Sequence, residues 1–169
     1  MPRLDEGINS LFPAVKRKLA AKILHNLELG KDWSGLAIDS VGSTVFVCGG
    51  GPVVEMFERN LERTPVDAAV RESLSKPILR VSLQKDQPAL LPGISIPDLA
   101  EKDRFISGVA AARDGALYVV NTETDTVYKL HAEDGSVLAS VKVGYRPFGI
   151  AISADFQAVA VSNWSAAFV

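Results

Sequence analysis

Cysteine is nearly missing from this sequence: Cys48 is the only one, so an internal disulfide and every cysteine-rich metal site are excluded. It closes the apolar run Val45-Phe46-Val47-Cys48, with no base or cation in sequence to activate the thiol, so it reads as a small buried side chain. Histidine is almost as scarce. His25 and His131 both fall on or beside expected outer strands, where solvated surface histidines are the default and a metal or catalytic pair is not expected. Long hydrophobic runs are missing too, and no stretch approaches the ~18 apolar residues of a membrane helix. A net charge of −2 leaves no excess of either sign, so no nucleic-acid surface is expected. The short basic run Lys16-Arg17-Lys18 reads as a solvated turn. Residues 1–6 lack the basic and then apolar regions of a secretory signal; if Met1 is the true start, the default compartment is the cytosol.

Motifs that carry chemistry are missing as well. No Gly-x-Gly-x-x-Gly, phosphate-binding loop, Gly-x-Ser-x-Gly or His-Glu-x-x-His pattern occurs. Gly49-Gly50-Gly51-Pro52 is glycine-rich, but it leads from strand to strand, with no helix N-terminus to receive a phosphate. Every acidic residue sits plausibly in a turn, so no catalytic carboxylate pair stands out. The sequence therefore assigns no catalytic residue, no metal ligand and no cofactor.

What is present is a repeat, carried by an apolar content of 47%, ample for a packed core. The segment Leu29-Gly30-Lys31-Asp32-Trp33-Ser34-Gly35-Leu36-Ala37-Ile38 aligns without gaps on Val143-Gly144-Tyr145-Arg146-Pro147-Phe148-Gly149-Ile150-Ala151-Ile152. A third copy begins at Gly108, 41 residues before Gly149. The copies beginning at Gly35 and Gly108 are separated by one such unit plus 32 inserted residues. Each glycine opens a small apolar strand, then a polar turn, then a second β-rich run. Arg113-Asp114-Gly115 between two such runs is a hairpin signal, because Asp and Gly tolerate positive φ. The middle copy continues through strands at Thr126-Val127-Tyr128-Lys129-Leu130 and at residues 137–143, joined by Ala132-Glu133-Asp134-Gly135.

Four short strands per copy, here a to d, with turns every 8–12 residues predict an all-β fold. A unit of this length with four antiparallel strands fits a β-propeller blade. The expected architecture is a β-propeller fragment of about three four-stranded antiparallel blades, its ring not closed. Residues 1–29 are expected to end a preceding blade, with strands at 8–12 and 22–29, although Val15, Leu19 and Ile23 also fit helical spacing. Residues 35–84 form a blade swollen by an insertion at 58–76 between strands c and d, where residues 66–74 suit a short helix. Residues 85–104, with Pro88, Pro92, Gly93 and Pro97, read as a long d-to-a loop and a candidate lid. Residues 108–143 form a complete blade, and residues 149–169 a truncated one that stops inside strand c. In the outer strand, Val137, Ala139, Val141 and Val143 are expected on one face and Leu138, Ser140 and Lys142 on the other. An open array exposes unpaired edges and apolar faces, so this chain alone is expected to be poorly soluble or to form oligomers.

Antiparallel strands alternate direction, so the d-to-a and b-to-c loops emerge on one face. That face gathers Trp33, Tyr145, Arg146, Asn121, Asn163 and Trp164, which are the candidate ligand-binding residues for a peptide, sugar or small anion. Asn121 and Asn163 occupy equivalent positions, which favours a strand-capping role for both. The expected partners are an unknown protein or small ligand on this loop face and the missing blades of the same protein.

The segments Leu117-Tyr118-Val119-Val120-Asn121, Val127-Tyr128-Lys129-Leu130, Asp134-Gly135, residues 143–151 and Val161-Ser162-Asn163-Trp164 together resemble the YVTN-repeat family of bacterial β-propellers. "YVVN" departs from the eponymous tetrapeptide at one position, and Cys48-Gly49-Gly50 replaces it in the first copy. The resemblance covers residues 22–57 and 105–169. It implies a seven-bladed, often exported module, hence a periplasmic or extracellular place, used for binding or scaffolding. In the similar subgroup carrying segments like Trp33-Ser34-Gly35-Leu36-Ala37, it precedes a phosphoesterase domain. The function expected first is a non-catalytic binding or scaffold module within a longer protein. The alternative is the propeller domain of an enzyme, either a phosphoesterase whose catalytic domain lies beyond Val169 or a hydrolase with a channel site.

Overall fold

A computed structural model of the chain describes residues 33–49, 68–84 and 87–164. The expected strands at 8–12 and 22–29, the histidine at position 25 and the end of the copy that begins at Gly149 lie outside the described residues. The first antiparallel sheet contains β1 (Trp33–Ile38), β2 (Thr44–Gly49), β3 (Ile78–Ser82) and β4 (Ala89–Ile94), hydrogen-bonded in that order. Helix α1 (Ala68–Ser75) lies in the β2–β3 connection. The second sheet contains β5 (Ile106–Ala111), β6 (Ala116–Asn121), β7 (Thr126–His131) and β8 (Val137–Lys142), again in sequence order. The third pairs β9 (Pro147–Ile152) with β10 (Val159–Asn163). This is the all-β propeller segment that the repeat predicts, and the described sheets do not close a ring.

The sheets stack face to face through their innermost strands, β1 against β5 and β5 against β9. Glycine makes that approach possible. A Cβ on Gly108 would lie 2.7 Å from the Phe148 carbonyl oxygen, a backbone atom that cannot swing aside. Hydroxyls then stitch the strands together: Ser34 Oγ donates to the Ser107 carbonyl at 3.0 Å, and Ser107 Oγ to the Phe148 carbonyl at 2.9 Å. Farther from these strands, Phe46, Cys48, Ile78 and Ile94 of the first sheet meet Val109, Leu117, Val119 and Leu130 of the second. Ile78, Leu117 and Leu130 are wholly buried, and each burial contributes about 1.5–3 kcal/mol of transfer free energy. Burial pushes the Cys48 thiol up to about 12, so it is the inert side chain its sequence neighbours suggest.

Two expectations for the first copy are corrected. Ile78–Ser82 pairs directly with β2, so it is strand c, and the insertion falls between strands b and c. Ala89–Ile94 pairs with β3 and is strand d, so the first half of the candidate lid at 85–104 contains a six-residue strand. Its Leu-Pro-Gly run looks like a loop in sequence. Proline is tolerated there because β4 is an edge strand whose outer side makes no ladder bonds. The Pro92 carbonyl accepts Arg80 Nε at 2.7 Å. The helix expected near residues 66–74 is present as α1, and its Leu74 covers Val47 and Leu79 on the far face of the first sheet.

The outer strand β8 is also corrected. Instead of one buried and one open face, all six of its residues are exposed, because no described element covers either side. A similar contrast marks β1. Leu36 is 67% exposed, whereas Val109, at the same repeat position in the second sheet, is 5% exposed against the first.

Candidate functional site

The ends of β2, β4, β6, β8 and β10 and the starts of β1, β3, β5, β7 and β9 share one side of the stack, as strand alternation requires. On that side the 122–125 turn of the second sheet meets the 143–146 connection into the third. Asp125 and Arg146 both adopt positive φ, 49° and 52°. Non-glycine residues are uncommon there and cost about 1–2 kcal/mol, so the surroundings must hold them. Asp125 does the holding. Its carboxylate accepts the Arg146 N–H at 2.8 Å, and its carbonyl accepts the Val143 N–H at 3.0 Å. Aspartate suits the position because its short side chain bonds nearby backbone in this conformation.

Arg146 is thereby aimed outward. Nη1 lies 3.4 Å from Glu123 Oε1, with both side chains close to half exposed. The guanidinium carbon stands 5.7 Å from the Tyr145 ring centroid. Its pKa is raised above the ordinary guanidinium value, first by a hydrogen bond to Tyr145, then by the charges of Tyr145 and Glu123. The Arg146 carbonyl accepts the Trp164 N–H at 2.8 Å, so the indole is anchored by its own backbone. The Trp164 ring packs 5.1 Å from Phe148 yet the residue remains 75% exposed, with Tyr145 59% exposed nearby.

Three of the candidate residues, Tyr145, Arg146 and Trp164, are thus brought together. Trp33 begins β1 on the same side of the stack. Asn121 is wholly buried: its Nδ2 donates to the Asp103 carbonyl at 2.8 Å, and its Oδ1 accepts the Phe105 and Glu123 N–H groups, both at 3.2 Å. It is a cap, as position equivalence suggests, and its side chain offers a ligand nothing. Asn163 is half-buried beside Gly144, where a Cβ would lie 2.8 Å from its amide carbon. Glu123, Asp125 and Phe148 complete the cluster but were not singled out in sequence. Asp125, ending a polar Glu-Thr-Asp turn, is the one that turn chemistry could have found. The site holds one cation, one anion partner and exposed rings, which suits binding of a flat ligand bearing an anionic group. Among the described residues no group of three His, Cys, Asp or Glu side chains comes together as a metal centre. No helix among them is long and apolar enough to cross a membrane.

The fold has counterparts among solved structures. A gluconolactonase of Xanthomonas campestris superposes with a TM-score of 0.52 at 15% identity, over 79% of this chain and 35% of that one. The hydrazine synthase of Kuenenia stuttgartiensis gives 0.50 at 16% identity, over 80% and 31%. The chain spans about a third of the length of either structure. At such identities the likeness concerns the propeller fold alone. No protein-family model matches the chain, and no curated protein matches it.

Proposed function

We propose that this chain is part of a YVTN-repeat-like β-propeller that acts as a binding or scaffold module, with its ligand face at Tyr145, Arg146 and Trp164. The carrying observation is Arg146, kept in a strained backbone conformation by Asp125 while its guanidinium stands exposed between Tyr145 and Glu123. Strain of this kind persists where the surroundings over-determine it, as they do at ligand clamps. The ligand is an anion with a flat body that stacks on the Trp164 indole. The β1 face with Leu36 and Ile38, which no other described element covers, takes a further blade of the same repeat, as the matching face of β5 does. The propeller works on the outer side of the cell envelope, which rests on the family resemblance alone.

Intrinsic fluorescence titrated with benzoate tests the site. A saturable change is expected, abolished in Trp164→Phe and weakened about tenfold in Arg146→Ala, the scale of one charge-assisted contact. Identical titrations in the parent and both variants would refute it. Turnover of an ester or phosphoester lost on Arg146→Ala would instead support the propeller domain of an enzyme.

A further inference from the structure

On the opposite side of the stack, a groove of about 430 Å³ runs between the first and second sheets. Its size falls within the roughly 300–1,000 Å³ of small-molecule sites. It lies between two complete four-stranded sheets, so its walls are set by elements on both sides. Leu91 and Ala111, both partly exposed, give it an apolar floor, backed by the buried Phe46 and Leu117. Three carboxylates border it: Asp39, Asp114 and Glu133.

The charges around the groove are unevenly committed. Asp114 is paired, its Oδ2 accepting Lys129 Nζ at 3.0 Å. The lining holds two basic residues: His131 Nδ1 stands 3.7 Å from Asp134 Oδ1, and Arg80 is spent on backbone carbonyls, Nε donating to Pro92 at 2.7 Å and Nη1 to Ala132 at 3.4 Å. Neither residue forms an ion pair with Asp39 or Glu133 among the described residues. Asp39 accepts the Ser43 N–H on one oxygen and the Ser43 hydroxyl on the other, both at 2.7 Å, with Thr44 bonding it as well, and no cation pairs with it among the described residues. Its carboxyl lies below the usual range: burial acts upward as the largest single influence, and the Ser43 and Thr44 hydrogen bonds together outweigh it. Glu133 is exposed and makes no hydrogen bond or ion pair among the described residues. Two carboxylates that form no ion pair among the described residues therefore flank an apolar floor.

We infer that this groove binds a cationic ligand with a short apolar body, such as a primary amine on an alkyl chain or the side chain of a lysine in a peptide. The alkyl portion lies on Leu91 and Ala111, and the ammonium donates to Asp39 and Glu133. This site is independent of the Arg146 face, on the other side of the sheets, and prefers the opposite charge.

The test uses the whole chain with n-hexylamine and n-hexanol as probes, read by amide chemical shifts in a two-dimensional ¹H–¹⁵N spectrum. Hexylamine is expected to shift Ala111, Ala116 and Ala132 and to bind about tenfold more tightly than hexanol, the scale of a charge-assisted contact. Glu133→Gln, on an exposed turn, is expected to weaken the amine about threefold while leaving hexanol unchanged. Adding Asp39→Asn is expected to remove the preference. Equal binding of the two probes, shifts confined to other residues, an unaltered preference in the double variant, or no binding of either probe would each overturn the inference. Benzoate binding at the Arg146 face is unaffected by any of these outcomes.

Discussion

Asn121 and Asn163 end the second strands of neighbouring sheets, in the same register, and their surroundings treat them differently. The backbone reproduces itself: Thr122 N–H bonds the Phe105 carbonyl, and Trp164 N–H bonds the Arg146 carbonyl in the same way. The side chains do not. Phe105 gives its N–H to Asn121 Oδ1, but Arg146 gives its N–H to Asp125, across the boundary between sheets. Asn163 Oδ1 is then buried without a partner among the described residues, and Nδ2 makes one long bond to Val161. One donor has been moved from capping a strand to fixing the loop that presents Arg146. The same residue type at the same repeat position is structural in one sheet and left short of a partner in the next, beside the candidate site.

The largest expected effect sets the inner glycines of the two sheets against each other. Gly108→Ala drives a methyl into the Phe148 carbonyl and is expected to cost about 3 kcal/mol by overpacking. Gly149→Ala meets only the Ser162 hydroxyl, at 2.9 Å, and is expected to cost about 1 kcal/mol. Urea unfolding at matched slopes measures both, and equal costs would show that the inner strands are less tightly apposed than the distances say. Next come the asparagines. Asn121→Ala strands two N–H groups and a carbonyl, at about 2 kcal/mol, whereas Asn163→Ala removes an acceptor that already lacks a donor, at about 0.5 kcal/mol or less. Thermal unfolding separates them, and an Asn163→Ala loss as large as that of Asn121→Ala would break the comparison.

The smallest effect is electrostatic. Asp114 and Asp155 occupy corresponding turns and both lie below the usual carboxylate range, Asp114 first through its bond from Lys129, Asp155 first through its bond from Ser153. A depressed folded pKa contributes stability that is present above the unfolded value and lost as pH falls through the folded one. Lys129→Met is therefore expected to move the Asp114 carboxyl upward, toward its unfolded value, and to leave Asp155 in place. A ¹³C carboxyl titration reads this, and a matching rise at Asp155 would show that the two turns are not held independently.

The sheets were legible where the repeat was uninterrupted. Ala116–Asn121, and the runs starting at Thr126 and Val137, emerge as strands where turn chemistry places them, because Asp114-Gly115 and Asp134-Gly135 supply the required positive-φ glycines. The first sheet misled for two reasons. Its insertion falls between strands b and c, and the repeat spacing alone does not say which connection the extra residues lengthen. Its fourth strand carries Pro92 and Gly93, which an exposed edge tolerates and a local reading rejects. Of the site, Tyr145, Arg146 and Trp164 were legible because strand alternation alone puts their loops on one side. Glu123 and Asp125 were not singled out, since their roles depend on which loop of the next sheet they meet.

Helix α1 leaves the first sheet between β2 and β3, on the side that also carries the Arg146 loop, and folds back onto Val47 and Leu79. The ladder between β2 and β3 stays in unbroken register across that departure, from Thr44 with Ser82 to Cys48 with Ile78. Pairing so continuous means the connection is closed by the strands and not by its own length. Closing a loop twice as long costs only about 0.6 kcal/mol more. The position is therefore a port for added sequence, where evolution or an engineer can graft a new recognition element without rewriting the blade.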